Sequence, residues 1–107
     1  MSFYNIIKMT EIKLYRKENN HCQMGFVDDK GVWVIPPVYD YVWDFSEGLA
    51  TVKKDWKCGY IDDEGNIVIP LKYYRACPLK DGIAKVMPKI GGNWIYIDKA
   101  GNKVPME

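Results

Sequence analysis

Histidine is almost absent from this chain. His21 is the single one among 107 residues, and the three cysteines, Cys22, Cys58 and Cys77, form no Cys-x-x-Cys pair. Zinc ordinarily takes four Cys or His ligands in paired spacings, so His21-Cys22 is half a site with nothing spaced to complete it. A Cys–His nucleophile pair needs an orienting third group, and none lies nearby in sequence. No apolar run is long enough to span a membrane. The first eleven residues lack the basic start, the apolar core and the small-residue cleavage site of an export signal. A chain of this kind is expected to be cytoplasmic, with reduced thiols, no metal and no cofactor. Charge of one sign is also lacking: fifteen Lys and Arg against fourteen Asp and Glu leave a net charge of +1. Nucleic-acid binders gather a basic excess on one face, whereas Arg16-Lys17 and Lys53-Lys54 are isolated pairs, so general nucleic-acid binding is not expected. Gly91-Gly92 has neither the Lys nor the following helix of a phosphate loop.

Aromatic residues and glycine are plentiful: eight Tyr, four Trp, three Phe and nine Gly. Aromatic and β-branched residues suit a half-buried pleated surface, and Gly punctuates its turns. An internal repeat organises them. Gly25-Phe26-Val27-Asp28-Asp29-Lys30-Gly31 returns 34 residues later as Gly59-Tyr60-Ile61-Asp62-Asp63-Glu64-Gly65. The match continues through Val34-Ile35-Pro36 on Val68-Ile69-Pro70, Tyr39 on Tyr73, Gly48 on Gly82, Ala50 on Ala84 and Val52 on Val86. Eleven of 34 positions are identical, where unrelated segments would share about two. A third copy opens at Ile95-Tyr96-Ile97-Asp98, after a longer turn at 88–93. Residues 1–20 are read as a cap or the back half of an upstream copy, with Ile12–Lys17 set against Leu49–Lys54.

Each unit is read as a short strand, an Asp-x-x-Gly turn and a second strand stopped by Pro. An irregular stretch and a third strand follow. In the turn the Asp side chain accepts from a backbone N–H two residues on, and Gly supplies positive φ. Gly31, Gly65 and Gly101 are therefore expected at positive φ. Strands are predicted near 24–28, 32–36, 49–54, 58–62, 66–70, 83–87 and 94–98, with no helical periodicity. One hairpin cannot bury its apolar face, but stacked units can. The expected fold is one all-β domain, 1–107, of antiparallel hairpin or meander repeats with units 24–57, 58–93 and 94–105.

This pattern resembles the WG (or KWG) repeat of bacterial proteins. The likeness rests on Gly59-Tyr60-Ile61-Asp62 with Gly65, on Val34-Ile35-Pro36 with Tyr39-Asp40, and on Phe45-Ser46-Glu47-Gly48-Leu49-Ala50. The name-giving Trp-Gly pair is replaced by Met24-Gly25, Cys58-Gly59 and Trp94-Ile95. The resemblance implies a β-rich repeat fold and no known enzymatic activity, and it carries over no catalytic or ligand residue.

The Asp residues that recur at the period (Asp28, Asp29, Asp62, Asp63 and Asp98) could line up for Ca²⁺, but one Asp per turn is what the turn itself requires. Phe26, Tyr60 and Tyr96 keep the period and are read as core. Trp33 stands where the next copy has Ile67. Tyr41 and Trp43 align with Arg75 and Cys77, and Trp56 aligns with Ile90. Aromatics outside the shared pattern either fill gaps in a small core or anchor an interface. Tyr41, Trp43, Trp56 and Arg75 are taken as the candidate partner-binding surface. The expected function is non-enzymatic protein binding, as a small stoichiometric inhibitor, immunity protein or adaptor. Binding of glycan or cell wall through stacked aromatics is the alternative.

Overall fold

The structure, a computed structural model, describes residues 13–105. Among them there is no helix; eleven strands form three antiparallel sheets. The first sheet holds β1 (Tyr15–Glu18), β2 (Met24–Val27) and β3 (Trp33–Tyr39). The second holds β4 (Tyr41–Ser46), β5 (Leu49–Lys54), β6 (Lys57–Ile61) and β7 (Ile67–Tyr73). The third holds β8 (Arg75–Ala76), β9 (Ile83–Met87), β10 (Ile95–Asp98) and β11 (Lys103–Val104). Each is a meander in chain order. The all-β reading holds, but the sheet and the sequence unit are out of phase: β4 and β5 come from one copy, β6 and β7 from the next.

The Asp-x-x-Gly turns recur with the same bonds. Asp62 Oδ1 accepts from the N–H groups of Glu64 and Asn66, both at 2.9 Å. Asp28 and Asp98 do likewise with Lys30 and Val32, and with Ala100 and Asn102. Gly31, Gly65 and Gly101 close the turns at φ of 80°, 87° and 86°, a region where a Cβ is penalised. Hydrogen bonding to the carboxylate, first from the Asn66 N–H, holds the Asp62 pKa below its ordinary value.

Three local expectations are corrected. The strands are not stopped by Pro. β3 and β7 run on to Tyr39 and Tyr73, because on β7 the residues Pro70, Leu71 and Lys72 bulge opposite the single Gly59, and on β3 Pro36, Pro37 and Val38 bulge opposite Gly25. A bulge on an edge strand is where a missing N–H costs no ladder bond. Gly59 is required by the same feature: a Cβ there would lie 2.5 Å from the Ile69 carbonyl oxygen and 2.8 Å from the Leu71 nitrogen. The third copy carries Ile95 at this position; its partner strand β11 ends at Val104, and the equivalents of Leu71 and Lys72 lie outside the described residues. Secondly, the irregular stretch after Tyr39 is a strand, β4, so a full sheet has four strands. Thirdly, β1 pairs with β2 as β5 pairs with β6, but Tyr15 sits opposite Val27 where Ala50 sits opposite Ile61. That register is two residues away from the expected alignment of Ile12–Lys17, and Ile12 itself lies outside the described residues.

The core lies between the sheets. Phe26, Ile35 and Tyr39 of the first sheet meet Val42, Ala50, Val52 and Ile61 of the second. The other face of the second sheet, with Leu49, Tyr60, Ile69 and Tyr73, meets Ala76, Leu79, Ala84, Val86 and Ile97. The central β5 is thus buried on both faces from Leu49 to Val52. Phe26 and Tyr60 are fully buried, while Tyr96 is half-buried on the third sheet. Burial of one such large apolar side chain contributes about 1.5–3 kcal/mol. The Cα radius of gyration is 15.3 Å, above the about 13 Å of a compact domain of this size, as side-by-side stacking demands.

Candidate functional site

The cleft between the second and third sheets is built from segments that the core pins in place. On β4, Val42 is buried and pairs with Val52, and a register shift before Phe45 follows it. The next residue, Trp43, therefore leaves the core and lines the cleft. On the other side, Tyr60 Oη donates to the Cys77 carbonyl at 2.6 Å and Ser46 Oγ donates to the Leu79 carbonyl at 2.6 Å. These bonds tie the chain after β8 to the second sheet and leave Arg75 exposed at its mouth. Burial pushes the Tyr60 hydroxyl far above the ordinary tyrosine pKa, so it remains a donor.

Trp56 enters from the β5–β6 hairpin. Its two-residue loop, Asp55-Trp56, has φ of 53° and 69°, the type I′ geometry that suits the twist of the strands and favours Gly at the second position. Asp55 N–H is held by Asp40 Oδ2 at 2.9 Å. The hairpin thus carries a bulky aromatic in a strained left-handed conformation, with 76% of its surface exposed. Trp94, which precedes β10, completes the lining with Tyr74, Lys53 and Pro78 above Cys58 and Ala76. The cleft encloses about 410 Å³, within the range that admits a small ligand or several protein side chains. A second depression of about 400 Å³ adjoins it, lined by Trp56, Tyr74, Lys57, Lys72, Lys89 and Ile90 among others.

Cations sit against the rings: Lys53 Nζ is 5.3 Å from the Trp56 centroid, Arg75 Cζ 5.5 Å from Tyr74 and Lys85 Nζ 4.6 Å from Trp94. Burial raises the pKa of Cys58, with Lys53 pulling the other way, so the thiol there is neutral at ordinary pH. His21 and Cys22 occupy the β1–β2 hairpin. His21 N–H binds Asn19 Oδ1 at 2.8 Å, and among the described residues no three His, Cys, Asp or Glu side chains cluster as a metal site.

Of the four residues singled out by sequence, Trp43, Trp56 and Arg75 line this one cleft. Tyr41 does not. Its ring packs edge-on against Trp43 at 4.7 Å, and its hydroxyl accepts from Arg16 Nη1 at 2.9 Å. Arg16 also pairs with Asp44 at 3.0 Å. Sequence reasoning missed Tyr74 and Trp94. The signal that picked out Trp43 was present for both, since Tyr74 aligns with Asp40, and Trp94 with Met24 and Cys58. Trp33 stands apart on the first sheet beneath Lys17.

Neither the curated proteins nor the solved structures provide a significant match to this sequence. The family model described as "WG containing repeat" matches residues 24–58 and 59–94, two consecutive copies that together cover most of the described chain. With its period, its three meander sheets and these two matched copies, the chain belongs to the WG containing repeat family.

Proposed function

We propose that this repeat module is a non-enzymatic protein-binding chain, a small stoichiometric inhibitor, immunity protein or adaptor that works by covering its partner's surface. The observation that carries this reading is Trp56. A strained backbone persists only where the surroundings hold it, and such residues cluster at ligand contacts. Here the strain presents an aromatic anchor to solvent between two apolar depressions. Trp, Tyr and Arg, which line them, are the side chains enriched at binding hot spots.

Alanine variants of Trp43 and Trp56 test it in pull-downs from the native host, each paired with a melting curve. Binding is expected to vanish while the melting temperature stays close to that of the parent. A buried Trp behaves oppositely, costing about 3–5 kcal/mol on truncation. Loss of stability with normal binding by the remaining folded protein would overturn the site.

Glycan binding is the second reading, favoured by the exposed Trp rings, since sugars stack on such faces. The cleft lining holds no Asp, Glu, Asn or Gln to bond sugar hydroxyls, and cations lie against three of its rings. Glycan arrays are expected to be blank, and a hit on a wall polysaccharide would replace the protein-partner reading.

A further inference from the structure

An antiparallel meander sends alternate connections to opposite ends of its sheets, and this chain separates its charges accordingly. At one end lie the Asp-x-x-Gly turns, with Asp28, Asp62 and Asp98, and the turns that carry Glu47 and Asp81; Lys30, Lys80 and Lys99 share that end, but the carboxylates outnumber them. At the other end lie the β5–β6 hairpin and the turns after β7 and β9. There Lys53, Lys57, Lys72, Arg75 and Lys89 line the two depressions, and no carboxylate does. Asp40 and Asp55 share that end, but neither lines the depressions, and Asp40 is turned onto the Asp55 N–H. Among the described residues the ion pairs are Arg16–Asp44 and Lys99–Glu47, so none of the five cations is neutralised within 4.0 Å. A net charge of +1 over the whole chain conceals this separation.

Resting on the protein-binding reading above, we infer that the partner presents an acidic segment with apolar side chains, docked across Trp56 with its carboxylates on these five cations. Like-charged, unpaired cations around an apolar patch raise each other's energy, and an acidic partner relieves that cost while speeding encounter. Aromatic rings amid cations would also suit single-stranded nucleic acid, which needs open ring faces for its bases. Here Lys53, Arg75 and Lys85 stand against the faces of Trp56, Tyr74 and Trp94. A base would have to displace them, whereas a carboxylate meets the ammonium where it already sits. The protein segment is therefore favoured.

The experiment pans a displayed random-peptide library on the whole chain, with counter-selection on Trp56→Ala. Enriched peptides are expected to carry a clear excess of Asp and Glu together with Leu or aromatic residues. Their affinity should fall at least about tenfold on going from about 50 to about 300 mM NaCl. It should fall by a similar factor in the Lys57→Glu, Lys89→Glu double variant, both being exposed side chains whose change leaves the melting temperature in place. Enriched peptides that are neutral or basic would overturn the acidic inference and leave the protein-binding reading standing. No enrichment over the Trp56→Ala control would overturn both. An oligothymidylate that binds more tightly than the enriched peptides would replace both with nucleic-acid recognition.

Discussion

The carboxylate of Glu47 reaches across to the third sheet and accepts two hydrogen bonds, from the backbone N–H of Asp81 at 2.6 Å and from that of Gly82 at 2.8 Å. Asp81 is the residue equivalent to Glu47 one period later, so the side chain of one copy caps the same turn of the next. Asp81 and Glu47 both have φ near 55°, and a bound carboxylate steadies a turn that a non-glycine residue would otherwise leave. Replacing Glu47 with Ala is expected to cost about 1 kcal/mol by loss of a charge-assisted cap. Glu47→Gln should retain part of it through its amide oxygen. Urea unfolding with an unchanged m-value measures this, and equal midpoints for parent and Glu47→Ala would show that the cap contributes nothing.

Trp56→Gly should move stability and binding in opposite directions. Glycine takes the positive φ of a type I′ turn without strain, so the variant is expected to gain about 1 kcal/mol or less and to melt a few degrees higher. Partner binding should be lost with the indole. A variant that melts lower would mean that Trp56 contributes packing outweighing its strain.

Gly65→Val is expected to cost about 1–2 kcal/mol or more, because a β-branched residue resists φ of 87°. A second effect adds to it. A Cβ at Gly65 would lie 3.6 Å from Ile35 of the first sheet, so the valine methyl groups would press on the neighbouring core. An unchanged melting temperature would contradict the turn geometry.

Acid should weaken the Asp-x-x-Gly turn at Asp62. Its folded-state pKa lies below the ordinary aspartate value of 3.8, chiefly through the Asn66 N–H. A depressed carboxylate contributes its stability above the unfolded pKa and loses it as pH falls through the folded one. The contribution should be complete above about pH 5 and should fade as pH falls through and below the ordinary aspartate range. Melting curves of the parent and Asp62→Asn should therefore converge as pH drops, and a constant gap between them would contradict the role of the charge.

The repeat, the Asp-x-x-Gly turns and the strands beside them were determined by the sequence alone, because their causes are local. Asp62 bonds N–H groups two and four residues on, Gly65 takes up the φ that the turn requires, and the β-branched run from Ile67 follows directly. Only the tertiary structure decided which strands share a sheet. β4 gains its partner from β5 and its inner face from Phe26 and Ile35, neither of which the string Tyr41–Ser46 reveals. Pro36 and Pro70 read as strand ends until the opposing Gly25 and Gly59 make room for a bulge. The aromatics that break the period were legible one at a time as candidates. Their meeting was not, because Trp43, Trp56, Arg75 and Trp94 come from four segments spread over 52 positions. Those segments come together only when the buried faces of the second and third sheets close on each other.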